Sequence, residues 1–221
     1  MLHLVLGGAR SGKSSFAEQW LLACFHAQVD CSTAPIYVAT AQGLDDEMKA
    51  RIQHHQRQRD SKPWQLIECP LELTALLSDF NENRFADHGY TQSKQACLQS
   101  GPYLLIDCLT LWLTNQLMAF HAVSDDSAFE KKLSADQYLH ACVDELIVAL
   151  TKSEATIVVV SNEIGLGVVP MGKETRLFVD HAGWMNQKLA QVAQQVTLVT
   201  AGLPLTLKGV NSVKSEGTQH G

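Results

Sequence analysis

Short apolar runs alternate with longer amphipathic segments along the chain, and this alternation predicts its secondary structure. Buried strands are expected at 2–6, 36–40, 103–107 and 155–161, with a short extended segment at 62–68. Helices are expected at 13–27, 44–59, 71–79, 109–120, 137–152 and 173–195. Such alternation is typical of a three-layer α/β fold with a mostly parallel sheet. The runs 196–200 and 204–208 flank a turn at 201–203 and predict a C-terminal antiparallel hairpin.

The chain is long enough for one domain with a substantial core, which we assign to residues 1–208. Residues 80–102 are punctuated by Asn, Ser and Gly and predict a loop insertion. Residues 121–136 are polar and loop-like, and the polar tail at 209–221 is expected to be disordered.

The first predicted strand leads directly into Gly7-Gly8-Ala9-Arg10-Ser11-Gly12-Lys13-Ser14, which has the form G-x-x-x-x-G-K-S. A strand before this pattern and a helix after it are the context of the phosphate-binding P-loop. Gly7 and Gly12 allow backbone conformations and close approaches that other residues disfavour. The backbone N–H groups of the loop can then surround phosphate oxygens at a helix N-terminus. Lys13 would reach the outer phosphates, and Ser14 would offer its hydroxyl to Mg²⁺.

A second feature of nucleotide-binding sites is Asp107, at the end of the predicted strand 103–107. A carboxylate in this position can hold Mg²⁺ directly or through water. The strand 155–161 is followed by polar residues and then glycines, as in a ligand-facing loop, although a plain strand-to-helix turn would look similar. Groups that could bind a ligand therefore collect at the carboxyl edge of the predicted sheet: Gly12, Thr40, Asp107 and Asn162.

Composition and charge restrict the possible function classes. The chain carries a net charge of −6, which disfavours nucleic-acid and anionic-membrane partners. No apolar run approaches the roughly 20 residues of a membrane helix, and the apolar N-terminal stretch is too short for a signal peptide. The six cysteines show no metal-ligand spacing, which favours reduced thiols in a cytoplasmic protein.

The predicted helix at 44–59 presents two different faces. Asp45 is a plausible N-cap, and the acidic start and basic end suit the helix dipole. A narrow apolar stripe contains Leu44, Met48, Ile52 and His55. A polar stripe contains Glu47, Arg51, His54 and Gln58. The adjacent histidines therefore point roughly 100° apart around the helix axis.

The pattern alone leaves three interpretations of these two histidines. Two surface or half-buried side chains are favoured on residue type. A metal site is disfavoured, because adjacent helix residues do not converge on one ion and neither has a carboxylate or Cys at i+4. The third interpretation is a nucleophilic or acid–base His54 beside a phosphate-binding Arg51.

Five segments carry a family resemblance. They are GGARSGKS at 7–14, YVATAQGLDDEMKARIQHH at 37–55, LLIDCLTLWLTN at 104–115, VVVSNEIGLGVVP at 158–170 and AGWMNQKLAQVAQQVTLVTAGLPLTLK at 182–208. The second and fourth are far more specific than the P-loop, which many families share. Together the segments resemble the bifunctional adenosylcobinamide kinase / adenosylcobinamide-phosphate guanylyltransferases of cobalamin biosynthesis.

The resemblance implies a P-loop NTPase fold of the RecA-like type, a homotrimer and two reactions. The first transfers the γ-phosphoryl group of ATP or GTP to the aminopropanol hydroxyl of adenosylcobinamide. In the second, a histidine attacks the α-phosphorus of GTP and passes GMP to the cobinamide phosphate. The guanylylated histidine of the family corresponds to His54, and Arg51 could neutralise charge on the α-phosphate. The other implied nucleotide contacts are Ala39, Thr40, Ala41, His55, Gln56, Arg57, Gln58, Glu68 and Asp107.

The chain departs from the family pattern in three places. Asp107 stands where relatives can carry Glu, Ala41 replaces a Ser, and the insertion at 80–102 has no counterpart. A P-loop holds β- and γ-phosphates, whereas guanylyl transfer brings the α-phosphorus to His54. We therefore hypothesise that the His54 helix moves, or that the triphosphate binds differently in the second reaction.

Two alternatives remain open from the sequence. The first is a P-loop small-molecule kinase without the guanylyl transfer. The second is a nucleotide-dependent module that assembles with a partner protein, for which the sequence offers little beyond the P-loop.

Overall fold

The computed structural model describes residues 1–27, 34–43, 45–59, 62–82, 84, 101–124 and 133–209, apart from the side chains at 51, 54, 55, 58, 59 and 124. The strands are β1 (Leu2–Gly7), β2 (Ile36–Ala39), β3 (Gln65–Glu68), β4 (Tyr103–Asp107), β5 (Thr156–Asn162), β6 (Gln195–Thr200) and β7 (Leu203–Lys208). The helices are α1 (Lys13–His26), α2 (Asp46–Arg59), α3 (Leu73–Asn81), α4 (Leu109–Ser124), α5 (Ala135–Lys152) and α6 (Lys173–Val192). Within this part of the chain, no helix combines the length and the apolar character needed to cross a membrane.

The strands form one seven-stranded sheet in the order β3-β2-β4-β5-β1-β6-β7. The neighbouring strands are parallel, except that β6 and β7 form an antiparallel hairpin. β1 lies between β5 and β6, so that Leu4 faces Val159 on one side and Val196 on the other. The predicted mostly parallel sheet and the C-terminal hairpin are both confirmed.

Both faces of the sheet are covered, because alternate side chains of each strand enter two different cores. In β1, Leu4 and Leu6 belong to the larger core, which residues of α3, α4, α5 and α6 complete. Val5 belongs to the other core, where Ala17 and Leu21 of α1 cover the sheet. The result is the three-layer arrangement that the sequence predicts for a P-loop NTPase domain.

Several predicted boundaries are wrong at helix ends. α3 runs from Leu73 to Asn81 rather than over 71–79, so the buried Phe80 belongs to the core and not to the predicted insertion. α4 continues to Ser124, although a loop is predicted from 121. α6 ends at Val192 rather than 195, because Gln195 already pairs with His3 in the sheet. The rest of the predicted insertion lies outside the described residues, at 83 and 85–100, as do 125–132 and 210–221.

α5 begins earlier than the predicted start at 137, because a capping box fixes its first turn. The Ser134 hydroxyl accepts a hydrogen bond from the Gln137 N–H at 3.2 Å. In return, Gln137 Oε1 accepts one from the Ser134 N–H at 3.0 Å. The sequence contains this S-x-x-Q pattern, which is a recognised helix-start signal that the prediction overlooked.

His3 is a polar residue in the middle of the buried sheet, with 1% of its surface exposed. Its Nε2 lies 2.9 Å from the Thr197 hydroxyl, and its ring packs edge-on against Trp20. Among the described residues, its buried Nδ1 has no hydrogen-bond partner. Burial lowers the pKa of His3 from 6.5 to about 4, since the imidazolium would lose its hydration.

We predict that His3 makes the fold less stable as the pH falls. The imidazole of the unfolded chain takes up a proton near pH 6.5, whereas that of the folded chain does so only near pH 4. The unfolded state therefore binds more protons between these values, and the stabilisation present above pH 6.5 is lost as the pH falls toward 4. Urea unfolding should show a loss of about 2 kcal/mol from this group between about pH 7.5 and 5.

Two variants isolate this contribution. His3→Phe keeps an aromatic ring against Trp20 but cannot titrate, so it should lose less stability over the same pH interval. His26→Phe replaces an exposed histidine of α1 and should keep the wild-type pH dependence. Identical pH dependences for wild type and His3→Phe would contradict the assignment to His3.

Candidate active site

The P-loop connects the end of β1 to the start of α1 through an unusual backbone. Gly12 has a left-handed conformation at φ 92°, and Arg10 also has a positive φ of 55°. The Ser11 N–H donates to the Gly8 carbonyl at 3.3 Å and closes the turn. Gly12 is the N-cap of α1 and provides no side-chain hydrogen bond, so the first N–H groups of the helix can serve a bound anion. Gly8, Ala9 and Arg10 are exposed.

The end of the sheet holds the P-loop in place by close backbone packing. A Cβ at Gly7 would lie 2.4 Å from Ser11 Oγ and 2.5 Å from the Val199 carbonyl oxygen, so only glycine fits there. A Cβ at Gly12 would lie 3.3 Å from the Cα of Gly202, in the turn between β6 and β7. The Gly202 N–H also donates to the Ser11 carbonyl at 2.8 Å. The C-terminal hairpin therefore supports the phosphate-binding loop directly.

Lys13 and Ser14 occupy the first turn of α1, next to this loop. Lys13 is 8% exposed, and its Nζ donates to the Gly8 carbonyl at 3.0 Å. The ammonium group is thus held beside the loop backbone, where the positive end of the helix dipole also lies. Ser14 is half-buried. A lysine and a hydroxyl at a helix N-terminus are suited to polyphosphate and to its metal ion.

Asp107 ends β4, and β5 alone separates that strand from β1. The Tyr37 hydroxyl of β2 donates to Asp107 Oδ2 at 2.6 Å, a short charge-assisted hydrogen bond that orients the carboxylate. Thr40 holds the main chain at the end of β4 and at the residue that follows it. Its N–H donates to the Asp107 carbonyl at 3.2 Å, and its hydroxyl donates to the Cys108 carbonyl at 2.7 Å. The strand-terminal carboxylate is therefore held in one orientation.

Cys108 lies next to Asp107, but its thiol is not a nucleophile. Burial raises the pKa of Cys108 to about 12, and the Asp107 carboxylate adds to this effect. Lys13 acts on the same pKa in the opposite direction. Near neutral pH the thiol therefore stays protonated.

A polar network joins the end of β5 to the P-loop and to α6. The Asn162 N–H donates to the Thr110 hydroxyl at 2.7 Å, and Asn186 Nδ2 of α6 donates to the Asn162 carbonyl at 3.1 Å. The Glu163 N–H donates to the Gly7 carbonyl at 3.1 Å. Asn162 thus lies at the carboxyl edge, as the sequence predicts.

The loop after this network exposes large apolar side chains. Leu166, Val168 and Met171 are 85%, 95% and 97% exposed. An open cleft of about 280 Å³ lies between this loop and α6, with Asp180 and Trp184 in its wall. Exposed apolar side chains beside a cleft are typical of a surface that binds a large ligand or a partner.

α2 begins at Asp46 rather than at the predicted residue 44, and the predicted Asp45 cap is present, because Asp45 Oδ1 accepts the Met48 N–H at 2.7 Å. Met48 and Ile52 are half-buried, whereas Glu47 is exposed, in agreement with the predicted apolar and polar stripes. Gln56 is half-buried and Arg57 is exposed. The side chains predicted to do chemistry or to contact nucleotide on this helix lie outside the described residues: Arg51, His54, His55 and Gln58.

The predicted nucleotide contacts divide into two groups along the carboxyl edge of the sheet. Asp107 ends the strand two positions from β1, which corresponds to about 10 Å at the usual strand spacing. Ala39 ends β2, three positions away, and Glu68 ends β3, four positions away, or about 14 Å and 19 Å. Thr40 and the half-buried Ala41 follow β2 directly. Asp107 therefore lies at the strand end nearer to the P-loop, and Glu68 lies at the one farthest from it.

Three residues that shape the site were not identified from the sequence: Tyr37, Asn115 and Gly202. The Asn115 side chain of α4 donates to the Thr40 carbonyl at 2.8 Å, which braces the segment after β2. A strand tyrosine and a helix asparagine look like ordinary packing residues until the register of β2 and β4 is known. Of the three, only Gly202 carries a sequence signal, because it lies in the predicted turn. The structure gives it a φ of 81°, which favours glycine.

Comparison with known proteins agrees with the site. A family model described as "Cobinamide kinase / cobinamide phosphate guanyltransferase" matches residues 3–207. The "Bifunctional adenosylcobalamin biosynthesis protein CobP" of Pseudomonas aeruginosa is 39% identical over 209 residues, covering 95% of this chain and 98% of the relative. The corresponding CobU proteins of Escherichia coli and Salmonella typhimurium are each 35% identical, covering 94% of this chain and 100% of each relative. This chain therefore belongs to the cobinamide kinase / cobinamide phosphate guanyltransferase family.

Proposed function

We propose that this chain carries out two successive reactions on adenosylcobinamide. In the first, it transfers the γ-phosphoryl group of ATP or GTP to the aminopropanol hydroxyl. In the second, it transfers GMP from GTP to the new phosphate through a guanylyl group on His54, which gives adenosylcobinamide-GDP. The observation that carries this proposal is the family match over nearly the whole chain, which includes the P-loop with Lys13 and the strand that ends at Asp107.

In the phosphoryl transfer, the P-loop and Lys13 bind the β- and γ-phosphates. The substrate hydroxyl oxygen attacks the γ-phosphorus and its proton passes to solvent, while the bond to the bridging oxygen breaks and the nucleoside diphosphate leaves. The loop N–H groups and the ammonium stabilise the negative charge that moves onto the leaving group. Asp107 ends β4 at the same edge of the sheet as the P-loop.

The residues present fit a magnesium ion. Ser14 and Asp107 supply a hydroxyl and a carboxylate oxygen, which are the hard donors that Mg²⁺ prefers. Held by these two residues, Mg²⁺ would neutralise phosphate charge. Tyr37 would then act as a positioning residue, because its hydroxyl holds one oxygen of the Asp107 carboxylate.

In the guanylyl transfer, a neutral His54 imidazole attacks the α-phosphorus of GTP. A P–N bond forms, the bond to the β-phosphate oxygen breaks, and pyrophosphate leaves. A phosphate oxygen of the cobinamide phosphate then attacks the same phosphorus and displaces His54. Imidazole suits both steps, since it is nucleophilic near neutral pH and its phosphoramidate is labile. Arg51 would neutralise charge on the α-phosphate.

The two reactions would use different parts of the carboxyl edge. The P-loop lies at β1, whereas the remaining proposed nucleotide contacts belong to β2, β3 and α2: Ala39, Thr40, Ala41, His55, Gln56, Arg57, Gln58 and Glu68. Strand spacing separates the ends of β1 and β2 by about 14 Å. This separation supports the hypothesis that α2 moves, or that GTP binds differently in the second reaction. A cytoplasmic homotrimer with α2 near a subunit boundary completes the proposal.

Radiolabelled GTP tests the covalent step. Wild type incubated with α-labelled GTP should acquire an acid-labile protein label, whereas γ-labelled GTP should give none. His54→Ala should abolish the label and still phosphorylate adenosylcobinamide, because the kinase step does not use the imidazole. His26→Ala, at an exposed histidine of α1, should be labelled like wild type. Label that persists in His54→Ala would rule out this nucleophile, and a wild type without label would favour the kinase-only alternative.

Lys13→Ala should weaken triphosphate binding and slow both reactions. Removing one preorganised charge at a developing anion typically lowers kcat by about 10²–10³-fold. Steady-state kinetics of phosphorylation and guanylylation would measure the effect. Lys49→Ala, which removes an exposed lysine paired with Asp46, is the matched control and should change neither rate. A Lys13→Ala enzyme with normal guanylylation would show that the second reaction does not use the P-loop.

Tyr37→Phe should raise the Mg²⁺ concentration needed for half-maximal kinase activity by about tenfold, because the carboxylate loses its orienting hydrogen bond. The rate at saturating Mg²⁺ should stay close to that of wild type. Tyr138→Phe removes a hydrogen bond between α5 and Gln116 of α4 and is the control. An unchanged Mg²⁺ dependence in Tyr37→Phe would exclude the positioning role.

A further inference from the structure

Two imidazoles and a carboxylate converge between α5 and α6, away from the residues used above. Asp136 and His140 lie four residues apart on α5, so they share one face of that helix. His181 of α6 points its Nε2 at Asp136 Oδ1, at 3.0 Å. His140 Nδ1 lies 3.6 Å from the same oxygen. Each of the three residues offers one ligand atom, and these atoms all lie within 4.8 Å of one another.

This donor set matches the chemistry of a first-row transition ion. Zn²⁺ binds imidazole nitrogen and carboxylate oxygen at about 2.0–2.2 Å, in sites with three protein ligands and a water. Ligand atoms around such an ion are separated by roughly 3.3 Å, so small side-chain rotations would close the trio. Two imidazoles disfavour Mg²⁺ and Ca²⁺, which prefer oxygen ligands. The ligands are therefore unlike those proposed for Mg²⁺ at the P-loop.

One member of this trio is buried, and the other two are accessible to solvent. His181 is 1% exposed, so its ring is fixed by packing. The side chains of His140 and Asp136 are 41% and 53% exposed, which leaves an entry path and room for a water ligand. The Trp184 ring lies against both imidazoles, with centroids 5.0 Å from His140 and 5.2 Å from His181. Trp184 therefore provides a natural optical reporter for an ion bound here.

We infer that Asp136, His140 and His181 form a binding site for a divalent transition ion of the Zn²⁺ class, which links the first turns of α5 to the middle of α6. Each ligand would exchange its present hydrogen bond for a bond to the ion. His140 gives up the Asp136 carbonyl, which its Nδ1 contacts at 3.1 Å. His181 gives up the Asp136 carboxylate. The site is separate from the proposed nucleotide site and is expected to act on stability.

Zinc titration of the tag-free full chain tests the inference. Zn²⁺ should raise the Tm of wild type and bind in calorimetry as one ion, since an ion that binds the folded state alone stabilises it. Asp136→Asn and His140→Gln each remove one ligand at an exposed position, so both variants should fold and bind at least tenfold more weakly. His121→Gln is the matched control, because His121 contacts Glu174 of α6 outside the trio. It should bind like wild type.

Fluorescence locates the ion independently of activity. Ni²⁺ or Cu²⁺ should quench the Trp184 emission of wild type, and this quenching should be absent from His140→Gln. In Trp184→Phe the quenching should disappear while the Zn²⁺-induced rise in Tm remains. Wild type that binds no Zn²⁺ would overturn the inference, leaving a hydrogen-bonded His–Asp–His cluster. Equal binding by wild type and either ligand variant would also overturn it, because the ion would then lie elsewhere.

Discussion

The site depends on close contact between backbones where β1 ends. Gly7 fits between the Val199 carbonyl and Ser11 because it has no Cβ. The Gly7 carbonyl accepts the Glu163 N–H at 3.1 Å. Farther along the loop, the Ser11 carbonyl accepts the Gly202 N–H at 2.8 Å. Three elements remote in sequence therefore fix a few atoms of the P-loop. Preorganisation of this kind means that the loop N–H groups need little rearrangement when phosphate binds.

Because β1 lies inside the sheet, the fixed P-loop at its end has strand ends on both sides. Parallel pairing with β5 and β6 brings the carboxyl ends of all three strands to the same edge as the P-loop. The same edge carries Asp107 at the end of β4 and Thr40 after β2. A chain with a net charge of −6 can bind polyphosphate there because the positive charge is local. It comes from Lys13, the loop N–H groups and the helix dipole.

Features set by local sequence were predictable. The P-loop, the strand ending in Asp107 and the final hairpin follow from patterns within about ten residues, and the structure has each of them. The Asp45 cap was also predictable, because an N-cap is a local hydrogen bond. Helix ends were less predictable. α6 ends before Gln195, because that residue pairs in the sheet with His3, almost two hundred residues away in the sequence.

Contacts that depend on strand order could not be predicted. Tyr37 reaches Asp107 because β2 pairs with β4, with Ala39 opposite Asp107. Nothing near either residue in the sequence specifies that pairing. The same holds for the trio between α5 and α6, whose members are 45 residues apart at the His181–Asp136 contact. The separation of Glu68 from the P-loop likewise follows from strand order alone.

α6 connects three parts of the molecule that are otherwise distinct. Its residues between Arg176 and Gln187 wall the cleft beside the exposed apolar loop. Its middle carries His181, which faces Asp136 of α5. Asn186, five residues or about 7.5 Å farther along the axis, holds the carbonyl of Asn162 at the carboxyl edge. His181 and Asn186 belong to the same helix, so the contact with α5 and the contact with the end of β5 together position α6 in the fold.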